Sequence, residues 1–198
     1  KREIPHYYLI STISLSSALA WLEEENSKRD ILQRILLAAL LVKAVAKASM
    51  DYPEFNGFWR NDRFEPASSV NVGMAISLHK QGLIAPALLS AEKLSLDQVM
   101  EKLRDLVERA RAGTLRGSEI SDASITLTNL GDLGVDQVLG IIYPPQVALI
   151  GFGKPSSSGS VTASLSGDHR VSDGARGSLF LTRLGRLLSD PECLRKGT

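Results

Sequence analysis

Residues Ser160-Val161-Thr162-Ala163-Ser164-Leu165-Ser166-Gly167-Asp168-His169-Arg170-Val171-Ser172-Asp173-Gly174 contain a change of period. Up to Ser166 the apolar Val161, Ala163 and Leu165 alternate with serine and threonine, the two-residue repeat of a strand buried on one face. Beyond Gly174, Phe180, Leu181, Leu184, Leu187 and Leu188 recur at helical spacing and predict a helix over 174–188. His169 therefore falls at a strand-to-helix junction, with the Asp173 carboxylate four residues later. Such a junction can hold a side chain rigidly and still expose it. The plainer reading is that Asp173 caps the helix and His169 is an incidental loop residue, and spacing alone favours it.

Working outward, strand signals cover 124–128 and 146–152, and the polar, serine-rich stretch 154–159 reads as a hairpin loop between the second of these and 160–166. Ahead of them, 14–26 and 28–48 read as two helices, the second apolar on nearly all sides and hence in the core. Residues 70–76 read as a half-buried strand, and 83–85, bracketed by Gly82 and Pro86, as another reached through a tight turn. Ser95 and Gln98 have capping-box spacing, Leu96, Val99, Leu103, Leu106, Val107 and Ala110 share one face, and Gly113 stands at the stop, which predicts a helix between them. Helices early, strands late and one closing helix make a mixed α/β sandwich with its sheet covered on one face.

Length and charge bound the function. At 198 residues the chain is one large domain. It is long enough to bury about 70% of its surface without disulfides or metals. The 23 Lys and Arg against 22 Asp and Glu exclude the basic excess of a nucleic-acid binder. One cysteine, Cys193, excludes an internal disulfide and a Cys-built zinc site and fits a reducing compartment. Arg34 and Lys43 interrupt the most apolar stretch well short of the ~20 residues that span a bilayer. The start Lys1-Arg2-Glu3-Ile4-Pro5 has no secretory-signal pattern. Of the three histidines, His79 reads as a solvated turn residue and His6, ahead of two tyrosines, as a structural group that packs or hydrogen-bonds.

Further segments accompany the His169 signature: Ile4-Pro-His-Tyr-Tyr-Leu9, Pro53-Glu-Phe-Asn56, Asn71-Val-Gly-Met-Ala75, Gly82-Leu-Ile-Ala-Pro86, Thr128-Asn-Leu-Gly131 and Tyr143-Pro-Pro-Gln146. Together they resemble the C-terminal catalytic domain of the dihydrolipoamide acyltransferases, the core component of 2-oxo acid dehydrogenase complexes. The resemblance implies an α/β fold, the chloramphenicol acetyltransferase-like two-layer sandwich with a mixed sheet covered by helices. It implies an acyltransferase moving an acyl group between dihydrolipoamide and coenzyme A, with coenzyme A as substrate, the lipoyl group on a separate domain, and no metal. The base falls on His169, the oxyanion-binding hydroxyl on Thr128 and the structural carboxylate on Asp173, which is expected to hold its loop through Arg170. Asn129 is the candidate coenzyme A contact.

The partners implied are a homotrimer with active sites between subunits, a larger core built from trimers, lipoyl domains and the dehydrogenase components, with neither nucleic acid nor membrane. Residues 1–198 are read as the catalytic portion of a longer polypeptide, since the Asp-Lys-Ala motif of a lipoyl domain and a peripheral-subunit-binding domain are absent. The expected location is the bacterial cytoplasm or the mitochondrial matrix. Three departures stand out: Asp122-Ala-Ser124 replaces a Gly-Gly-Thr-like lead, the hairpin between Gly153 and Ser160 is shorter than usual in the family, and the end Leu194-Arg-Lys-Gly-Thr198 is not apolar. The competing readings are an O-acyltransferase of the chloramphenicol type and a catalytically idle scaffold. Acetyl, succinyl, branched-chain and acetoin-derived acyl groups all fit the sequence.

The chemistry explains the residue types. A thiol of pKa near 8.5 is mostly protonated at neutral pH, so an imidazole that removes its proton during attack on a thioester is worth ~10²–10⁴ in rate. A hydroxyl aimed at the oxygen that gains charge adds ~3 kcal/mol.

Overall fold

The computed structural model describes residues 3–78 and 82–197, so His79 lies outside the described residues. β1 (His6–Ser14) leads into α1 (Ser16–Ser27) and α2 (Leu37–Asp51). The hairpin of β2 (Gly57–Arg60) and β3 (Arg63–Pro66) follows, then β4 (Val72–Met74), β5 (Ile76–Leu78), β6 (Gly82–Ile84) and β7 (Ala87–Leu88). After α3 (Leu96–Ala112) and α4 (Gly117–Ser121) come β8 (Ile125–Asn129), β9 (Ala148–Phe152), β10 (Ser160–Asp168) and α5 (Gly174–Ser189).

The six-stranded sheet has the order β1-β10-β9-β8-β4-β7, while β2–β3 and β5–β6 form separate ribbons. Strands β9, β8 and β4 run parallel to one another, and β1, β10 and β7 pair antiparallel with their neighbours. One face carries Val72, Ile125, Leu127, Ile150, Phe152, Val161, Ala163 and Leu165, packed in one core with α1, α2, α3 and α5. The expected mixed sheet with helices on one face is present. Lys43, on the buried side of α2, is fully enclosed and donates to the carbonyls of Ala91, Glu92 and Leu94, closing the turn that starts α3. Burial pulls its ammonium down to about 8.

The helix over α3 ends as its sequence predicts: Ser95 and Gln98 form the capping box, and Gly113 takes the left-handed conformation at φ 71°. Three expectations are corrected. The helix expected over 28–48 begins only at Leu37, because Arg34 and Leu36 are extended. Ile31 and Leu32, which look like helix-face residues, stand in a short exposed turn whose Leu32 and Arg34 carbonyls are taken by Arg104. The strand expected over 70–76 is split, since Ala75 donates to Leu127 while Ile76 pairs with Ile84 in the separate ribbon. The helix expected from Ser14 starts at Ser16, and the segment before it is a nine-residue edge strand.

Opposite the helices, the segment between β8 and β9 crosses the sheet. Gly151 makes room for it: a Cβ there would stand 2.6 Å from Val138 Cγ1 and 2.8 Å from the Val138 carbonyl. His6 pins its far end, with Nδ1 2.9 Å from the Ile4 carbonyl and Nε2 accepting from Ile142 N at 3.0 Å, the structural role expected of it.

At the other edge Glu119 of α4 accepts two hydrogen bonds from Arg109 and one from Arg116 N. The Arg109 guanidinium holds its carboxyl down at about 2. A folded-state pKa below the usual 4.5 contributes stability that is complete above about pH 5 and lost as pH falls through 2. Because Arg109 is one-fifth exposed, solvent screens the pair. Glu119→Gln is expected to cost about 1–3 kcal/mol at pH 7 and to converge with wild type near pH 2, as read by denaturant midpoints across that range.

Candidate active site

Asp168 closes β10 opposite His6 and is completely buried. Its carboxylate accepts from Arg170 N at 3.0 Å, Arg170 Nε at 2.9 Å and Arg170 Nη2 at 2.6 Å, so the arginine loops back over the residue between them. The outer face of the guanidinium lies over the Trp59 ring, 4.4 Å from its centroid. The Trp59 backbone is itself fixed, its amide N–H donating to the Pro145 carbonyl at 2.7 Å. The expectation that Arg170 serves Asp173 is thus corrected: its partner is Asp168, the carboxylate its backbone turn already faces. Arg170→Met should leave a buried charge unpaired and lower stability by about 2–4 kcal/mol, below the full buried-pair cost because Arg170 reaches water. An unchanged urea midpoint would exclude that.

Asp173 is exposed and caps α5, accepting from Arg176 N at 2.9 Å, so the plain capping reading describes its contacts. His169 is exposed between these two acids. Its N–H donates to the Pro5 carbonyl at 3.0 Å, and its imidazole meets the Tyr7 ring edge-to-face, centroids 5.5 Å apart. Among the described residues the imidazole has no hydrogen-bond partner, which leaves both nitrogens for a ligand.

Thr128 lies elsewhere. Side chains alternate along a strand, so Ser124, Thr126 and Thr128 face the same side as Ser164 and Ser166 of β10. Four of these buried hydroxyls are used: Ser124 donates to Asn56 Oδ1, Thr126 to Gln146 Oε1, Ser164 to the Val138 carbonyl and Ser166 to the Gly140 carbonyl. Thr128, 9% exposed, is the one without a partner among the described residues. Neighbouring Asn129 uses Oδ1 to accept from Gly131 N at 3.0 Å, which turns the chain.

The sheet register separates the two groups. Thr128 and Ser164 both stand level with Gly151, and His169 lies five residues beyond Ser164. At ~3.3 Å per residue and ~4.8 Å between strands, the two Cα atoms are ~16 Å apart along the sheet and ~10 Å across it, roughly 19 Å in all. No rotamer spans that gap. His169, Asp173 and Arg170 form one cluster, and Thr128 and Asn129 another. Between β8 and β9, Leu133, Leu139 and Ile141 are 72%, 45% and 54% exposed, apolar side chains along the segment that crosses the sheet face carrying Thr128.

Arg170–Asp168 and the Trp59 ring escaped the reading of the sequence. An acid and an arginine two residues apart at a strand end were the available signal; the tryptophan had none.

A dihydrolipoyllysine-residue acetyltransferase component of the mitochondrial pyruvate dehydrogenase complex of Schizosaccharomyces pombe is 29% identical over 94% of this chain and 41% of its own length. The chain spans less than half the length of this relative and of similar acetyltransferase components from Rickettsia bellii and Rickettsia felis. A structure of Azotobacter vinelandii dihydrolipoamide acetyltransferase, solved to investigate a serine, a histidine and an asparagine in its catalytic mechanism, superposes with TM-score 0.89 at 26% identity, covering 98% of this chain and 85% of that one. Chloramphenicol acetyltransferase shares the fold at TM-score 0.64 and 17% identity, over 94% of this chain and 91% of that one. The family model for the catalytic domain of 2-oxoacid dehydrogenases acyltransferase matches residues 1–195. Sequence motifs, mixed sheet and family model agree, and the chain belongs to the 2-oxoacid dehydrogenase acyltransferase family through its catalytic domain.

Proposed function

We propose that this chain transfers an acyl group between dihydrolipoamide and coenzyme A inside a 2-oxo acid dehydrogenase complex, with acetyl as the group carried by the relatives it matches. His169 takes the proton of the attacking thiol, and Thr128 donates to the oxygen that becomes negative as the thioester is attacked. Asp173 keeps the His169 loop at the head of α5 and exchanges no proton. Asn129 orders the turn beside Thr128, where it borders the coenzyme A path.

The observation that carries this reading is the unspent Thr128 hydroxyl. Its four neighbours on the same face spend their hydroxyls inside the chain, whereas the Thr128 O–H is unspent and its oxygen is not sealed from solvent, so it can donate to a ligand. A ligand oxygen satisfies it. The two clusters, too far apart within one chain, complete each other when a neighbouring copy brings its own His169 to this Thr128. A cyclic trimer supplies that neighbour and covers the apolar Leu133, Leu139 and Ile141. Lipoyl domains and dehydrogenase components then act as partners, and a mitochondrial matrix or bacterial cytoplasm as the setting.

Thr128→Ala tests the hydroxyl. In an assay with dihydrolipoamide and acetyl-coenzyme A, alanine is expected to lower kcat roughly 10²-fold and serine much less, since only an O–H donor is needed. Equal losses for the two variants would make Thr128 a packing residue and remove the support it gives to acyl transfer.

A further inference from the structure

We propose that Tyr7, on the edge strand β1, is the positioning residue that holds the His169 imidazole in one orientation. The inference rests on the reading of His169 as the base. Tyr7 is half-buried, pairs with Gly167 across β1 and β10, and meets His169 at an interplanar angle of 75°. Its hydroxyl lies 2.8 Å from Ser172 Oγ, three residues along the loop. One side chain therefore braces the 169–173 loop twice, by its ring at the histidine and by its oxygen near the start of α5.

The surroundings are shaped for that ring. A Cβ on Gly167 would stand 2.5 Å from Tyr7 Cε1 and Cζ, and one on Gly177 would stand 3.1 Å from the hydroxyl. Glycine at both positions lets the ring lie flat on the strand end and below the first turn of α5. Burial pushes the phenol up from its ordinary range, with Asp173 and Glu54 pushing the same way, so it stays neutral beside the imidazole. Since the His169 imidazole has no hydrogen bond among the described residues, the ring contact is what limits its rotamers. Misplacing a reacting group by about 1 Å costs up to ~10² in rate, so the orientation of this imidazole governs kcat.

The test combines kinetics with nuclear magnetic resonance on the full chain, labelled at its three histidines. In wild type, the His169 side-chain signals should show a ring-current shift and a single χ1 rotamer. Tyr7→Phe keeps the ring, so the shift should persist with kcat within ~3-fold of wild type. Tyr7→Leu should abolish the shift, average the rotamers and lower kcat ~10–100-fold while KM for coenzyme A is unchanged. Wild-type turnover in Tyr7→Leu, or phenylalanine as damaging as leucine, would overturn the proposal. If Tyr7→Leu fails to fold, the wild-type rotamer decides, because an already averaged imidazole is not being held. A His169→Ala variant that keeps its turnover would instead sink the base assignment, leaving the resonance comparison to judge Tyr7's hold on the ring.

Discussion

His169→Ala is expected to lower kcat by ~10²–10⁴ while leaving coenzyme A affinity within a few-fold of wild type. In the proposed role the imidazole takes part chiefly as the thiol proton leaves, so its removal would raise the barrier more than it weakens the bound state. The structure makes this variant easy to interpret. His169 is exposed, its imidazole has no hydrogen bond among the described residues, and its backbone bond to Pro5 survives the change. Its main side-chain contact is the Tyr7 ring, whose loss costs about 0.5–1.5 kcal/mol. The fold should therefore persist, with the Asp168–Arg170 pair in place. Asp173→Ala is the useful contrast: it removes a helix cap worth ~1 kcal/mol and should change turnover far less. Rates for both variants with acetyl-coenzyme A and dihydrolipoamide, beside isothermal binding of coenzyme A, check the pattern. Turnover of His169→Ala at the wild-type level would withdraw the base from this junction.

The elements that the sequence announced are those whose signals are local. α3 carries its own caps at Ser95 and Gly113, and β10 and α5 meet where the period changes from two to 3.6 residues. β1 was invisible for a physical reason: its core side, Tyr7, Leu9 and Ile13, is broken by Ser11, and its outer side carries Tyr8 and an exposed Ile10, so the sequence shows no clean alternation. The start of α2 was misplaced because Ile31, Leu32 and Leu36 look like a helix face, whereas their segment is pinned in an extended path by Arg104 and by Asn26, which bonds Ile35 at both N–H and carbonyl.

The site was legible in the same uneven way. Motif resemblance picked out His169, Thr128 and Asp173, but pairing Arg170 with Asp173 overlooked the nearer acid. The choice between Asp168 and Asp173 depends on how the 169–172 backbone turns, and Trp59 reaches that turn from more than a hundred residues away. That Thr128, of these five, keeps a free hydroxyl could be found only by placing the crossing segment over β8 and β10, where it takes up three of the others, and Asn56 beside β8, where it takes up the fourth.

A mixture of two dead proteins should regain activity, and by a countable amount. His169 and Thr128 lie at opposite ends of one sheet, with β9 between their strands, so no motion of side chains within one chain joins them. In a cyclic trimer each interface joins unlike patches, and the His169 end of one subunit can face the Thr128 end of the next. His169→Ala and Thr128→Ala chains each spoil every site when alone. After unfolding, equal mixing and reassembly, a site is intact when the chain lending His169 carries the Thr128 change and its neighbour carries the His169 change. Random assembly makes about one quarter of sites intact. The measurement is turnover per subunit of the mixed trimer, set against wild type carried through the same unfolding. Recovery near one quarter supports a site shared between chains. If wild type regains full activity and the mixture stays as inactive as its parents, the two residues do not meet across an interface, and the ~19 Å between them would leave Thr128 outside the reaction.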